Sequence, residues 1–542
     1  MTYSTAQEVF LRHFFTNVDS DVYCTTDAMP MALWAFLEGG YSRSQMSMRD
    51  RFLRIFEELR EKDEDAPSLE ELADAVAKAR LPVLDGALKR ASDFMSKWAV
   101  EYGHNSLKDS SVDRFALENV SQRAAKLLEH SQLGAFQEKS TRYMDFSEDA
   151  LVYSPELLAS SYGEETRWQG RQMMVAYRKL LDRIRLHFET HLLRREFKTE
   201  AAWRRTAHAR AFDVARYLLP CAVRTSVGAT LPSRETERHV SALLASPHGE
   251  IRALAVRMRD EATKINPGLL RHVQPNPYLE RTLGDLSRLA EGLDWTNASA
   301  SLSTSPVDGS EPSVSLSWIS PDIELLALAS ALSATERLLL PTADLRERIR
   351  SAGPELAARI ADAALGPRGP HDDWPKEFAV GQIGFDLVLD FGAWRDLQRH
   401  RVGLQLRARP VVALGYSVPD ELFHPELAEE LDQYRRAMDR AGEFHSRVTR
   451  ERPFDAEYLA NLGHHCAWTC AMDLRQWAYL VELRSGASGH VSYRRIAQRM
   501  AREVLPHVPL LARHLRVDWS GETDRRQAEE RTQEKLAKAI AS

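Results

Sequence analysis

Two short segments carry side chains whose types and spacing could grip an anionic heterocycle. The first, Phe136 to Phe146, reads FQEKSTRYMDF and sets Gln137, Glu138, Ser140 and Arg142 within six residues. An amide, a carboxylate, a hydroxyl and a guanidinium on one loop can clasp a pyrimidine nucleotide: Arg takes phosphate, while Ser and backbone N–H groups take phosphate or the base edge. Read alone, the stretch serves equally as a helix cap with Ser140 and Arg142 solvated. The second segment is Arg399-His400-Arg401, three contiguous groups that leave a helix end on different sides and so can reach more than one anion. A basic triplet by itself is also a common solvated face. The combination carries more than either part.

Each segment follows a strand-and-helix unit that must position it. Ile383, Phe385, Leu387 and Leu389 alternate with Gly384, Asp386, Val388 and Asp390 before a helical run beginning near Trp394, which ends in the triplet. Val112 to Val120 plays the same part in the first half, followed by a helix from about Ser121 to His130 that leads into the Gln137 segment. Long amphipathic stretches, Glu165 to Leu193 and Leu325 to Leu340, make both halves mainly helical. The expected fold class is α+β, two diverged copies of a mainly helical domain with a small antiparallel sheet.

Duplication is supported by matched offsets. FDVARYL begins at Phe212 and FDAEYL at Phe454, 242 residues later; IRALAVRM ends at Met258 and YRRIAQRM at Met500, again 242 apart. His104 and His371, which precede the two strand-and-helix units, are 267 apart, so the connecting segments differ in length. The Ser-, Thr- and Pro-rich run from Asp294 to Ser317 is the clearest linker. The expected division is 1–290, a linker 291–318, a second domain 319–518 and a charged tail 519–542.

These motifs resemble the flavin-dependent thymidylate synthases, whose signature is an Arg-His-Arg helix end followed shortly by Asn-Glu-x-Ser-x-Arg-Tyr. Arg399-His400-Arg401 looks like the first part and Gln137-Glu138-Lys139-Ser140-Thr141-Arg142-Tyr143 like the second, but they lie in different halves. Where the first half should carry the triplet it has His130-Ser131-Gln132; where the second should carry the Ser loop it has Arg409-Pro410-Val411-Val412. Gly103-His104-Asn105-Ser106 is similar to the family's flavin-meeting turn, with Asp109 near its acidic position. Ala215-Arg216-Tyr217-Leu218-Leu219-Pro220 looks like its Ala-Arg-x-x-Leu-Pro helix, and Asp473-x-Arg475 with Leu483-Arg484 like its Asn-x-Arg and Leu-Arg. On one helix Asp473 and Arg484 stand about 20° apart, whereas Arg475 and Arg484 face nearly opposite ways. Gln137, Thr141, Asp473 and Tyr479 depart from the family pattern.

The resemblance implies reductive methylation of dUMP to dTMP, with methylenetetrahydrofolate giving the carbon, FAD the hydride, and NADPH recharging the flavin. The implied catalytic residues are Arg216, which stabilises enolate-like charge on the ring, and Ser140, which hydrogen-bonds the nucleotide. The implied substrate grip is Gln137, Glu138, Arg142, Arg399 and Arg484, and the implied cofactor contacts are His104, Arg399, His400, Arg401, Asp473 and Arg475. Because family members are homotetramers with shared sites, a fused pair implies a homodimer that mimics a tetramer, each working site uniting the complementary halves. The departures leave C5 modification of another uracil nucleotide as an alternative, and a non-catalytic flavin- or nucleotide-binding scaffold as a different class of function.

Bulk properties exclude other classes. A formal charge of −6 over 542 residues gives no general basic field for nucleic acid or an anionic membrane. No stretch has the apolar length of a membrane helix, and Met1 to Glu8 lacks a signal-peptide pattern, so a cytoplasmic chain is expected. Four cysteines are too few for a disulfide framework. Cys466 and Cys470, one helical turn apart after His464 and His465, read as buried positions on an apolar helix face, and no metal site is expected.

Overall fold

The computed structural model describes residues 3–41, 44–63, 66–78, 93, 97, 105–141, 146–197, 199–291, 312–335, 337–406, 408–487 and 489–521. It divides into two units that do not follow the linear halves. Unit 1 holds Met1–Met174, Pro220–Ser303 and Arg447–Leu459; unit 2 holds Val175–Leu219, Thr304–Ser446 and Ala460–Ser542. Among the described residues no helix is long and apolar enough to cross a membrane.

Unit 1 is built on an antiparallel sheet in the order β1-β2-β4-β3, with β1 Val22–Cys24, β2 Val112–Ser121, β3 Ala135–Glu138 and β4 Arg224–Pro232. The alternation in β2 puts Phe115 and Leu117 into a core with Val227, Ala229 and Leu254. Its register slips between Leu117 and Val120, where Asn119 takes a φ of 54°, a left-handed conformation that Asn tolerates better than most residues. β2 ends at Ser121, whose side chain accepts the Ala124 N–H and so starts the Gln122–Leu128 helix. The Ser121 backbone N–H and hydroxyl both donate to the Glu250 carboxylate, at 2.9 and 2.7 Å.

Unit 2 repeats this plan. Its antiparallel sheet runs β5-β6-β9-β7, with β8 also on β9; the strands are β5 Ser313–Ile319, β6 Ile383–Asp390, β7 Leu404–Gln405, β8 Arg409–Pro410 and β9 His465–Met472. β6 lies within the expected span, and Asp390 caps the next helix by accepting the Ala393 N–H at 2.7 Å. That cap starts the helix at Phe391, earlier than the expected start near Trp394. Phe385, Leu387, Leu389, Trp394, Trp477 and Met500 are buried in this unit.

Three expectations change. The end of the expected linker is strand β5, because its Val314, Leu316 and Trp318 alternate with serines and pair with β6. A Cβ at Gly384 would fall 2.1 Å from the Trp318 ring, so that crossing requires glycine. The Leu325 to Leu340 helix stops at Ser333, where the Ala334 N–H closes the last turn, and Leu339 is exposed. Cys466 and Cys470 lie on β9, not on a helix; i and i+4 share a face in a strand as well, and both are buried thiols outside any disulfide. The tail beyond residue 521 and most of the Asp294 to Ser317 run lie outside the described residues.

Each unit is completed by a segment from the other half of the sequence, and the two insertions are held alike. In unit 2 the Tyr217 carbonyl accepts the Gly463 N–H at 2.9 Å; in unit 1 the Tyr458 carbonyl accepts the Ala222 N–H at 3.1 Å. In unit 2 the Gly392 N–H donates to Leu462 at 2.8 Å; in unit 1 the Arg123 N–H donates to Cys221 at 2.9 Å. Tyr217 thus corresponds to Tyr458, Arg216 to Glu457, and Gly392 to Arg123.

Ser121→Ala removes a helix cap and leaves a buried carboxyl without its hydroxyl donor. It is expected to cost about 1–3 kcal/mol, with Ser121→Thr costing less, read as the shift of the urea unfolding midpoint.

Candidate functional site

Arg216 follows the Glu200–Ala215 helix directly, in the short 3₁₀ turn Arg216–Leu218 that Asn461 secures by donating to the Leu218 carbonyl at 2.8 Å. The residue is 2% exposed. Its Nη1 is 3.9 Å from Asp396 Oδ2, outside hydrogen-bonding distance, while Nε and Nη2 are buried with no hydrogen-bond partner among the described residues. A Cβ at Gly392 would stand 3.7 Å from Nη2 and 3.1 Å from Asp390, so glycine keeps the space beside the guanidinium open. Asp390 is fully buried and accepts the Ser492 hydroxyl. Burial raises its carboxyl above the usual range, and Ser492, the Ala393 N–H and Arg216 oppose that rise.

The basic triplet belongs to the same unit. The other oxygen of Asp396 lies 3.8 Å from Arg399, so one carboxylate stands between Arg216 and Arg399. Arg484 donates its Nε–H to His400 Nε2 at 2.8 Å, which requires a neutral imidazole with its proton on Nδ1. Burial, then Arg484, Arg401 and Arg399, pull the His400 pKa down to about 3. The ring lies 5.6 Å from that of Tyr479, and the Arg484 guanidinium is 5.7 Å from the Tyr493 ring centroid. Four arginines around one neutral imidazole and one shared carboxylate suit an anion attached to a polar ring. The unpartnered Arg216 donors match a carbonyl oxygen.

The remaining expected residues are placed as follows. Asp473 is the N-cap of the Leu474–Ser485 helix and accepts the Gln476 N–H at 2.8 Å. Arg475 donates to the Trp374 carbonyl at 2.7 Å and stands 3.3 Å from Asp373. In unit 1, Gln137 is exposed on β3, Ser140 is half-buried just beyond it, and Glu138 is buried against Lys126 at 2.8 Å, with Glu129 on the same ammonium at 2.6 Å. His104 and Arg142 lie outside the described residues. Sequence reasoning did not single out Asp396, Ser492 or Gly392 as site residues; the signal was an acid at the strand-to-helix cap, Asp390, facing an Arg delivered from far along the chain.

Unit 1 holds the counterpart with its charges reversed. Glu457, in the place of Arg216, hydrogen-bonds Arg123 and lies 2.9 Å from His248 Nε2, and all three side chains are buried. Where unit 2 has only Gly392, unit 1 has the Arg123 side chain. The hydroxyl and carboxyl also trade places: Ser121 with Glu250 in unit 1, Asp390 with Ser492 in unit 2.

A duplicated α+β plan, with an arginine cluster at one strand-to-helix corner, defines the class of protein. Residues 47–268 and 374–510 match the family described as thymidylate synthase complementing protein, and the chain belongs to that family. It is 29% identical to a UPF0159 protein of Chlamydia pneumoniae over 94% of this chain and 93% of the other. It is 27% identical to a flavin-dependent thymidylate synthase of Clostridium tetani over 33% of this chain and 68% of the other. A solved UMP/dUMP methylase of Streptomyces cacaoi aligns with TM-score 0.32 and 15% identity, over 39% of this chain and 98% of that one.

Two outcomes follow from the geometry. Glu457→Ala strands the buried Arg123 and should destabilise the protein by about 3–5 kcal/mol, read as the unfolding midpoint, whereas Glu457→Gln should cost less. The His400 ring should stay neutral, protonated on Nδ1, from about pH 8 to pH 5 in ¹⁵N NMR spectra. Because its folded pKa lies below the unfolded value of about 6.5, its contribution to stability is lost as pH falls from there toward 3, and Arg484→Ala should raise the pKa.

Proposed function

We propose that the chain methylates C5 of a uracil nucleotide, with dUMP converted to dTMP as the leading reaction. Methylenetetrahydrofolate serves as carbon donor, FAD as redox cofactor and NADPH as reductant. The observation that carries this reading is the buried, incompletely hydrogen-bonded Arg216 guanidinium, in one unit with a neutral His400 and with Arg399, Arg401 and Arg484. Membership of the thymidylate synthase complementing family and the likeness to a protein named flavin-dependent thymidylate synthase support it.

Uracil C5 is a poor nucleophile, so the protein must favour enolate-like charge on the ring. Arg216 does this by donating to a ring carbonyl oxygen from a dry setting, where a fixed cation acts far more strongly than in water. Arg484 and Arg399 take the nucleotide phosphate. The donor set also fits a flavin nucleotide: the Arg399 side chain is 45% exposed and its fork, with that of Arg401, suits a pyrophosphate. Asp473 is engaged as a helix cap, which removes the conflict a loose carboxylate would bring. When bound, FAD supplies the redox chemistry, and the chain's residues hold and orient it. Ser140 hydrogen-bonds the nucleotide and is not a covalent nucleophile. A two-chain assembly belongs to the same proposal and is read by light scattering.

The test is tritium release from C5-labelled dUMP with methylenetetrahydrofolate and NADPH, with labelled UMP in parallel. Arg216→Ala is expected to lower kcat/KM by about 10²–10³-fold with the circular dichroism spectrum unchanged. Ser140→Ala should give a smaller loss. Protein that is colourless, takes up no FAD on titration and releases no tritium would sink the proposal in favour of a non-catalytic scaffold.

A further inference from the structure

Three histidines and a glutamate converge in unit 2, apart from the arginine cluster. His187 and His191 lie one turn apart at the end of the Gly163–His191 helix, and His424-Pro425-Glu426 forms the short segment before the Ala428–Thr449 helix. One ligand atom each from His187, His424 and Glu426 fall within 4.8 Å of one another. His187 Nδ1 and His191 Nε2 are both 3.5 Å from Glu426 Oε2. The ring centroids are 4.2 Å apart for His187 and His191, 4.8 Å for His187 and His424, and 5.2 Å for His191 and His424.

We propose that His187, His191, His424 and Glu426 form a binding site for one borderline divalent transition cation, with zinc the best match to the ligand set. Metal–ligand bonds of about 2.0–2.1 Å in a tetrahedron place neighbouring ligand atoms roughly 3.3–3.4 Å apart, and the two nitrogen–oxygen separations are already close to that. Three imidazoles and one carboxylate are ligands that suit zinc, whereas magnesium and calcium prefer oxygen.

Two further observations point the same way. His187 is buried, 7% exposed, yet its Nδ1 has no hydrogen-bond partner among the described residues, an orphan that a cation would satisfy. His191 donates its Nδ1–H to the His187 carbonyl at 2.8 Å, which fixes the ring and leaves Nε2 as the ligand atom, the usual support for a metal-bound histidine. His191 and Glu426 are partly exposed, so a cation has a way in. Such a site ties the Val175–Leu219 segment, which carries Arg216, to the rest of unit 2.

Chelator-treated, untagged full-length protein titrated with Co²⁺ reads this directly, because four-coordinate Co²⁺ gives intense visible bands. One equivalent per chain is expected, displaced by Zn²⁺, with a higher thermal transition in the loaded protein. Glu426→Gln, at an exposed position that should fold normally, is expected to weaken binding about tenfold or more, and His187→Ala to abolish the bands. His514→Ala, at the separate His514–Asp362 contact, should leave them unchanged. No stoichiometric uptake by the wild-type chain, or uptake indifferent to both Glu426→Gln and His187→Ala, would overturn the site. Neither outcome depends on turnover, so failure here is distinguishable from failure of the proposed activity.

Discussion

The backbone pairing that delivers Tyr217 to unit 2 and Tyr458 to unit 1 is the constraint on which the rest of the molecule depends. In each unit a strand ends in a helix cap, the first helical N–H groups donate to a neighbouring strand's approach, and the inserted segment accepts the N–H that follows. Buried backbone donors must be satisfied, so neither corner can be completed by its own half of the sequence as it stands. The residue before each tyrosine is thereby carried to a fixed place beside the helix start. In one unit it is Arg216 and in the other Glu457. Duplication followed by reciprocal insertion explains why motif pieces that look scattered in the sequence are ordered in the fold.

The two corners settle their buried charges differently. In unit 1 Glu457 meets Arg123 and His248 in direct hydrogen bonds through Oε2. In unit 2 Arg216 keeps two buried nitrogen donors unmade, each a loss of about 1–3 kcal/mol against a paired group. Asp396, 3.9 Å away, offsets part of the desolvation of the cation. Ser492 and the Ala393 N–H in turn hold Asp390 in place. Copies of one structural plan thus differ in how they accommodate a buried charge.

Much of this was legible in the sequence. Period-two alternation located β2 and β6, the amphipathic run from Glu165 located the long helix to His191, and the FDVARYL and FDAEYL pair of the repeat falls in the two inserted segments, though the insertion itself was not legible. The Arg399-His400-Arg401 triplet, Arg484 and Arg216 lie in one unit, whereas Gln137, Glu138 and Ser140, expected at the same site, belong to the other. What escaped depended on tertiary pairing. β5 is hidden because a strand beside a Ser- and Pro-rich run has too few apolar residues to announce itself, and its partner β6 supplies the order. Asp473, a departure from the family pattern, is a helix cap, a role that depends on where the helix begins, which composition does not fix. The His187 cluster was invisible because its two parts are far apart in the chain and meet only through packing of the inserted helix.

Distance is what separates the arginines of the two corners. A carboxylate in hydrogen-bond contact both neutralises a guanidinium and occupies its fork, as at Glu457 and Arg123. At 3.9 Å, Asp396 still contributes favourable Coulomb energy in a low-dielectric setting but takes none of the donors of Arg216. The same carboxylate also faces Arg399 at 3.8 Å, so a single negative charge moderates two cations and saturates neither. Gly392 then matters as much as any charged residue. An acidic side chain there would fill the space beside the Arg216 guanidinium and close the corner as an ion pair, as Arg123 does for Glu457 in the other unit.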